Sequence, residues 1–372
     1  MKILHIVYSL EPGGMENGIL NMVARLPRKA VSVKICCLEK AGRMAERLPK
    51  DHQPHVLGKC PGFDRRIPWL LRGTIREFRP DILHTHNLGP LIYTALAKCM
   101  GAGGRILHGE HASLTETDLG FRKRLQRKLL YRFCSGIHTV GYAMAGQLEE
   151  TRLTSKTIHT LQNGVDTEKF SPSTEKVRLR RDLLGLTDNV VLAGVFGRFG
   201  TYKRHDYLLE AFARVGECLP DLQLLVVGAG GEREESVLAQ IGQHPFSDRI
   251  HAVGYQGDPL RHYQCLDLLL IPSVNEGLSN CALEAMSCGV PVLSNRNCGA
   301  EELIADSADG FVRGMETPPD LVDILFEVVG QGSGALAEVG TRARQKVQDA
   351  FSMSSMADSY LRTYQEVVGI NA

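Results

Sequence analysis

The chain has 372 residues, of which 43% are hydrophobic and 23% charged, and its formal net charge is +1. These values are typical of a folded protein of roughly two to three domains; the near-neutral charge argues against a nucleic-acid partner, and the lack of any run of about 18 apolar residues argues against a membrane span. Ten cysteines without Cys-x-x-Cys spacing predict no structural zinc and indicate a reducing cytoplasm.

Short apolar segments alternate with amphipathic stretches, such as 17–26 and 65–78, along the whole chain. The first series of predicted strands comprises 2–8, 31–38, 81–84, 105–108, 136–140 and 157–161. The second comprises 190–196, 222–227, 249–253, 267–271, 291–293 and 310–312. Continuous apolar strands alternating with helices indicate parallel sheets covered on both faces. Two such series therefore predict two doubly wound α/β domains.

Turn signals separate the two series. Asn163-Gly164 favours a turn and Ser171-Pro172 disfavours a helix, so we expect the domain connection within residues 162–172. After the second series, residues 352–367 have the apolar spacing of a helix.

Loops after strands of the first series carry candidate ligand groups. Gly13 and Gly14 follow the first strand, where glycine lets a backbone N–H approach a phosphate closely. Their spacing lacks the Gly-x-Gly-x-x-Gly pattern of dinucleotide-binding enzymes. His86 and His111 follow two further strands and could line a ligand pocket, although a hydrogen-bonded loop histidine is the alternative for His86.

The segment 121–132 contains six basic residues and no acidic one. Leu125, Leu129 and Leu130 recur within it at helical spacing, and Trp69 lies in a second basic segment of the same domain. One interpretation is a helix that lies on an anionic membrane. The other is a solvated helix whose leucines are buried.

In the second series, cations follow the first strand and carboxylates the fourth. Arg198 offers a bidentate fork to phosphate oxygens, and Lys203 a mobile positive charge. Glu276 precedes a helix whose N-terminus favours a phosphate, and Glu284 lies about a turn inside that helix. Ser279 or Asn280 could cap the helix. Carboxylates on either side of a phosphate site suit the hydroxyls of a nucleotide sugar.

These residues resemble the retaining glycosyltransferases of family 4, whose signature is Glu-x7-Glu with Gly after the first Glu. Here it runs from Glu276 to Glu284, and the Gly-Arg…Lys element, the "NGVD" of 163–166 and His111 match in the same order. Gly299 and Glu302 match a Gly-Gly-x-x-Glu element in which Cys298 replaces the first glycine. The resemblance implies GT-B architecture, with two Rossmann-like domains facing across a cleft. The expected bounds are 1–165, 166–351 and a C-terminal helix, 352–372, that crosses back to the first domain.

The resemblance also implies residue roles. Arg198 and Lys203 would stabilise the leaving diphosphate, Glu276 would orient the donor sugar, and His111 would support the reacting sugar. Glu284 would hold the ribose, and His86 would lie on the acceptor side. The remaining donor-binding residues are expected to be Gly13, Gly14, Gly254, Tyr255, Gly277, Leu278, Ser279 and Asn280.

The function implied is transfer of a hexose from a nucleoside diphosphate sugar, UDP being the commoner donor, to a hydroxyl of a glycan or lipid-linked acceptor. Retention at the anomeric carbon and a role in exopolysaccharide assembly, at the cytoplasmic face of a membrane, are expected. No cofactor or metal is expected, since no Asp-x-Asp motif accompanies the histidines and the family needs none. A GT-B nucleotide-sugar epimerase and a catalytically silent nucleotide-sugar-binding protein are the alternatives.

Overall fold

The computed structural model describes residues 1–27, 29–112, 114–186 and 190–370. Two compact units are present: Met1–Gly164 together with Met353–Ala372, and Val165–Ser352. The C-terminal helix thus belongs to the first unit, although it follows the second unit in sequence.

The strands of the first unit are β1 (Lys2–Val7), β2 (Ser32–Cys37), β3 (His55–Val56), β4 (Ile82–His86), β5 (Arg105–Glu110), β6 (Cys134–Thr139) and β7 (Ile158–Thr160). Those of the second are β8 (Val191–Phe196), β9 (Leu222–Val227), β10 (Ile250–Gly254), β11 (Leu268–Ile271), β12 (Val292–Asn295) and β13 (Phe311–Arg313).

The helices up to residue 243 are α1 (Gly14–Arg25), α2 (Ile67–Phe78), α3 (Leu88–Cys99), α4 (Glu116–Leu119), α5 (Phe121–Leu130), α6 (Tyr142–Glu150), α7 (Lys176–Leu184), α8 (His205–Val215) and α9 (Glu234–Gln243). They are followed by α10 (Leu260–Gln264), α11 (Asn280–Ser287), α12 (Cys298–Leu303), α13 (Pro318–Val329), α14 (Gly332–Ala350) and α15 (Met353–Val368).

Both sheets are parallel and doubly wound. The first has the strand order β3-β2-β1-β4-β5-β6-β7 and the second β10-β9-β8-β11-β12-β13. In each, the order reverses next to the first strand, between β1 and β4 or between β8 and β11. Ligands of open α/β sheets bind at such switch points, beyond the carboxyl ends of the strands. The predicted fold class is confirmed.

Each sheet has an apolar core on both faces. Alternate side chains of a strand point to opposite sides and so belong to different cores. In β1, Ile3 and Val7 belong to one apolar cluster, whereas Leu4 and Ile6 belong to another. Helix α15 adds Tyr360 and other side chains to the first of these clusters. In β8, Leu192 and Phe196 face one core, and Ala193 and Val195 the other.

The strand predictions differ from the structure mainly at element ends. The segments predicted at 81–84 and 105–108 continue to His86 and Glu110, and the short strand β3 was not predicted. Among the described residues, no helix combines the length and apolar character that a membrane crossing requires. Cys36, Cys37, Cys134 and Cys265 are buried free thiols, which pack as small hydrophobic side chains.

Candidate functional site

The switch point of the second sheet brings two loops together. One follows β8 and contains Arg198 and Lys203, and the other follows β11 and contains Glu276. The N–H of Val274 donates a hydrogen bond of 3.1 Å to the carbonyl oxygen of Tyr202, so the loops are tied through their backbones.

Gly197 shapes the first loop. Its φ of +140° lies in the region that favours glycine, and a Cβ there would lie 3.3 Å from Cε of Lys203. The missing side chain lets Lys203 fold back over the end of β8. Arg198, next in sequence, is exposed and free to meet an anion from solvent.

Lys203 and Glu276 form an ion pair in the second unit, from Nζ to Oε1. Only 13% and 15% of the two side chains are exposed. Burial lowers the pKa of Lys203, but the charge of Glu276 and its hydrogen bond raise that pKa by more, so the ammonium stays charged. The site therefore holds one paired cation and, in Arg198, one exposed cation.

A close glycine contact sets the position of the Glu276 loop. Gly299, in α12, lies so near that a Cβ on it would be 1.9 Å from the carbonyl oxygen of Gly277 and 3.1 Å from that of Glu276. No side chain fits in this space. This contact gives a physical reason for the glycine of the Gly-Gly-x-x-Glu element, whose role the sequence did not define.

Helix α11 begins at Asn280, directly after Ser279. The prediction that a Ser279 hydroxyl caps this helix is wrong, because that side chain makes no capping bond and contacts Sγ of Cys281 at 3.1 Å instead. The preceding Leu278 is buried in the core and anchors the loop that leads into the helix.

Glu284 lies on the second turn of α11 and has a partner that the sequence did not reveal. The buried hydroxyl of Tyr263 hydrogen-bonds to Glu284, and burial, followed by the charge of Glu284, raises the Tyr263 pKa well above its usual value. The Tyr263 ring stacks on Phe196, with 4.2 Å between ring centroids. Tyr263 thus fixes Glu284 against the end of β8.

Gly254 and Tyr255, the predicted contacts of the base, lie at the end of β10. Gly254 has a φ of +68°, and its carbonyl oxygen accepts the N–H of Gly228 at 3.0 Å. The Tyr255 side chain is 37% exposed.

In the first unit, Gly13 and Gly14 are the N-cap and first residue of α1. The φ of Gly13, −172°, is an extended value that any residue adopts.

The predicted His86 and His111 belong to a group of five histidines in the first unit, of which four are buried and His111 is partly buried. His5 Nδ1 is 2.9 Å from His86 Nε2, and His86 Nδ1 is 2.9 Å from His111 Nε2. His84 Nε2 is 2.8 Å from His138 Nε2. We call His5, His84, His86, His111 and His138 the histidine cluster.

Sheet register explains why these histidines meet. His5 is the register partner of His84, and Gly109 lies between His86 and His138. Because Gly109 has no side chain, the imidazoles on either side reach across it. Sequence reasoning missed His5 and His138, since the five residues belong to separate strands and loops.

The cluster is uncharged at neutral pH. Burial, followed by the charge of a neighbouring histidine, lowers the pKa of His5 to about 3 and that of His111 to about 4. The same two causes hold the pKa values of His84, His86 and His138 well below the usual range. Ring nitrogens can therefore accept hydrogen bonds as well as donate them.

Helix α5 is anchored by a carboxylate that sequence reasoning also missed. Glu110 is buried and accepts hydrogen bonds from Tyr131 Oη at 2.6 Å, Arg127 Nε at 3.3 Å and His108 Nε2 at 3.4 Å. Burial raises the pKa of Glu110, but these partners outweigh it and lower the pKa to about 2. Arg127 is thus a structural cation, and its basic neighbours on α5 remain on the surface.

Three apolar residues of α5 are exposed, whereas Leu130 is partly buried against a core cluster. The exposed fraction is 82% for Phe121 and 48% for both Leu125 and Leu129. The alternative of a buried leucine stripe is therefore wrong for these two leucines. On α2, Trp69 is 64% exposed.

Comparisons with known proteins agree with this architecture. A model described as Glycosyltransferase Family 4 matches residues 12–169, and one described as Glycosyl transferases group 1 matches residues 189–331. The UDP-Gal:alpha-D-GlcNAc-diphosphoundecaprenol alpha-1,3-galactosyltransferase of Escherichia coli is 23% identical over 99% of this chain and 97% of its own. The N-acetyl-alpha-D-glucosaminyl L-malate synthase of Bacillus anthracis is 26% identical over 83% and 80%, respectively. The crystal structure of Anabaena Alr3699/HepE in complex with UDP-glucose has a TM-score of 0.86 at 21% identity, over 98% of this chain and 100% of that one.

Two parallel-sheet α/β units together with these likenesses define a glycosyltransferase of the GT-B fold. The chain belongs to the group 1, family 4 glycosyltransferases.

Proposed function

We propose that this enzyme transfers a hexose from a UDP-sugar to a hydroxyl of a glycan or lipid-linked acceptor, with retention at the anomeric carbon. The observation that carries the proposal is the Lys203–Glu276 ion pair beside Arg198, at the switch point of the second sheet. A diphosphate leaving group gains negative charge as the glycosidic bond breaks, so fixed cations stabilise the transition state more than the ground state.

The charges around Lys203 are suited to a donor that carries both phosphate and sugar. Arg198 is exposed and can meet the diphosphate first. Lys203 can share its three N–H donors between phosphate oxygens and Glu276, which keeps the carboxylate near the bound sugar. The N–H groups that begin α11 add donors without a competing Ser279 cap.

Glu284 is proposed to hold the ribose hydroxyls, with Tyr263 as its positioning residue. His111 is proposed to hydrogen-bond a hydroxyl of the reacting sugar. No general base is assigned, and the donor phosphate is proposed to take the acceptor proton as attack occurs on the face from which the diphosphate leaves. No metal is proposed for this step, because the two cations supply the positive charge.

Two relatives support the choice of donor and acceptor. The E. coli relative is named for UDP-galactose and for an acceptor linked to diphosphoundecaprenol, and the Anabaena protein has been crystallised with UDP-glucose. We therefore propose a UDP-hexose as the donor of this enzyme and a glycan or lipid-linked molecule as its acceptor. A role in exopolysaccharide assembly is part of the same proposal.

The surface around α5 supports a further part of the proposal, contact with an anionic membrane. Phe121, Leu125 and Leu129 recur every four residues and so lie along one side of the helix, exposed. Exposed basic residues flank them, and α2, which carries Trp69, lies in the same unit. Apolar side chains beside cations are typical of helices that lie in a membrane interface. Such a surface would present the enzyme to a lipid-linked acceptor.

Calorimetric titration with UDP, GDP and ADP tests the site. We expect UDP to bind most tightly, and Lys203→Ala and Glu284→Ala each to weaken its binding at least tenfold. Arg214→Ala removes an exposed cation of α8 in the same unit and should bind as the unchanged protein does. Thermal unfolding of each variant without nucleotide separates a lost contact from a lost fold. Binding of no nucleotide would overturn the site.

Product analysis tests the reaction. With a UDP-hexose, we expect UDP release only when an acceptor is present, and NMR of the product should show the anomeric configuration of the donor. Conversion of the sugar without acceptor would indicate an epimerase instead. An intact donor with every acceptor tried would indicate a binding protein.

A further inference from the structure

We propose that His86, His111 and His138 bind a divalent transition-metal ion of the zinc, cobalt or nickel type beside Gly109. One ring nitrogen from each of these residues lies within 4.8 Å of the others. In a tetrahedral zinc site, nitrogens about 2.0–2.1 Å from the ion lie about 3.3 Å apart. The His86–His111 pair, at 2.9 Å, is slightly closer than this spacing. Small side-chain rotations would therefore assemble the site without moving a strand.

Gly109 lets the imidazoles approach one another closely. It separates His86 from His138 in the sheet register. A Cβ on Gly109 would lie 2.4 Å from His138 Nε2 and 2.8 Å from His111 Nε2. The two side-chain atoms nearest to this position are thus ring nitrogens of two of the three proposed ligands.

The hydrogen bonds around His86 suit this role. An imidazole that ligates a metal usually donates its other N–H to a further group, which fixes the ring. His86 Nε2 already lies 2.9 Å from His5 Nδ1. His5 Nε2 and His138 Nδ1, in contrast, are buried without a hydrogen-bond partner, so hydrogen bonds within the cluster leave it incompletely satisfied.

The donor set selects the class of ion. Imidazole nitrogens suit zinc, cobalt, nickel and copper, whereas magnesium and calcium prefer oxygen ligands, and no carboxylate belongs to this set of three. His111 is only partly buried, which gives the ion a path from solvent and leaves a coordination position for water.

The proposed metal site has no part in the proposed transfer step, which uses no metal. Because His111 is proposed to contact the sugar, an ion on its Nε2 is expected to slow transfer, and that consequence rests on the proposed function. Metal binding itself does not rest on it, since binding is measured without nucleotide or acceptor.

Cobalt(II) is the direct probe. The full-length protein, dialysed against EDTA and then against buffer, is titrated with Co²⁺ and followed by visible d–d absorption. We expect one tightly bound Co²⁺ per chain, its displacement by Zn²⁺, and a higher thermal unfolding temperature with Zn²⁺ because the ion binds the folded state. His86→Ala, His111→Ala and His138→Ala should each weaken binding at least tenfold.

Two further variants complete the experiment. His159→Ala removes a histidine of β7 that lies outside the cluster, and it should bind Co²⁺ as the unchanged protein does. Gly109→Ala keeps all five histidines of the cluster, but its Cβ would force the His138 and His111 rings apart, so it should lose binding. Circular dichroism of the metal-free variants identifies any that fail to fold. His111 is less buried than His86 and His138, so we expect His111→Ala to disturb the fold least of the three histidine variants.

Three results would overturn the proposal. The first is absence of Co²⁺ binding at micromolar concentration. The second is affinity unchanged in every folded cluster variant. The third is a sulfur-to-cobalt charge-transfer band, which would assign the ion to thiols such as the exposed Cys60, Cys99 and Cys218.

Discussion

Gly299 shows how a residue without a side chain can determine where a charged one lies. It contacts the backbone of Gly277, and Glu276 immediately precedes that contact. The carboxylate then pairs with Lys203. The position of the ion pair therefore depends on a helix two strands away from Lys203 in the sheet order.

Replacing Gly299 with alanine should weaken UDP binding at least tenfold while the fold is retained. The new Cβ would meet backbone atoms, which cannot rotate away, so the loop must shift and Glu276 must move from Lys203. Calorimetry with UDP measures the effect. Gly257→Ala is the matched control, since a Cβ there meets no atom within 4 Å and its φ is not positive. Unchanged affinity in Gly299→Ala would contradict this account of the loop.

Glu110 should make the first unit sensitive to acid. A carboxylate whose pKa is lower in the folded than in the unfolded chain adds stability above its unfolded pKa and loses it as the pH falls through the folded pKa. For Glu110 these values are 4.5 and about 2, so stability of about 3 kcal/mol should be present near pH 6 and decline between pH 5 and pH 2.

Urea unfolding at pH 6, 5, 4 and 3, followed by fluorescence of Trp69, the single tryptophan, measures this decline in the first unit. Glu110→Gln should unfold more easily at pH 6 and show a shallower decline. Tyr131→Phe, which removes one hydrogen bond and keeps the carboxylate, should fall between the two. Equal slopes for all three proteins would assign the acid sensitivity to other groups.

The candidate residues that the sequence predicted are those with a local signal. Arg198, Lys203 and Glu276 lie in loops that follow apolar strands, and such a position is readable from sequence. Tyr263, His5 and His138 gave no such signal, because their contacts join segments that are far apart in the chain. A pattern along one segment does not show which side chains another segment brings to it.

At the scale of elements, the same limit applies to α5. Its leucine spacing predicted a helix, which is confirmed, but spacing alone does not show whether another element covers the leucines. Only the structure shows that Leu125 and Leu129 are exposed while Leu130 is partly buried. Strand β3, in turn, has two exposed residues and no apolar run, so nothing in its sequence distinguished it from a loop.

Anionic vesicles should bind the exposed apolar and basic surface of α5. We expect co-flotation with phosphatidylglycerol vesicles, a blue shift of Trp69 fluorescence, and weaker binding at high salt. Each leucine contributes roughly 1.5–3 kcal/mol on burial, so the double variant Leu125→Ser/Leu129→Ser should bind at least tenfold more weakly.

Leu238→Ser, which replaces an exposed leucine of α9 in the second unit, is the control and should bind normally. Equal binding of neutral and anionic vesicles, or full binding by the double variant, would contradict membrane contact through α5.

At the scale of the whole molecule, the two units differ in how the chain builds them. The second unit is one continuous segment, whereas the first requires residues from both sides of it. Helix α15 gives the first unit a row of buried side chains that includes Met356, Tyr360, Tyr364 and Val367. Tyr364 also contacts the histidine cluster, because its Oη lies 2.8 Å from His84 Nδ1.

Removal of residues 353–372 should unfold the first unit and leave the second folded. Loss of these four buried side chains, at roughly 1.5–3 kcal/mol each, is comparable to the whole stability of a typical domain. Limited proteolysis should then yield a resistant fragment near 165–352. A chain ending at Gly369 is the control and should resist digestion in both units.

The place of α15 also affects how the protein is made. The ribosome completes all of the second unit before it synthesises the helix that covers one face of the first sheet. Domains usually fold in the order in which they are translated, but here we expect the later unit to reach its native state first. Until α15 has been synthesised, the nascent first unit exposes an unfinished core. We therefore expect it to be a substrate for chaperones during translation. Pulse proteolysis of ribosome-bound chains would show protection appearing in the second unit before the first, and the opposite order would exclude this sequence of events.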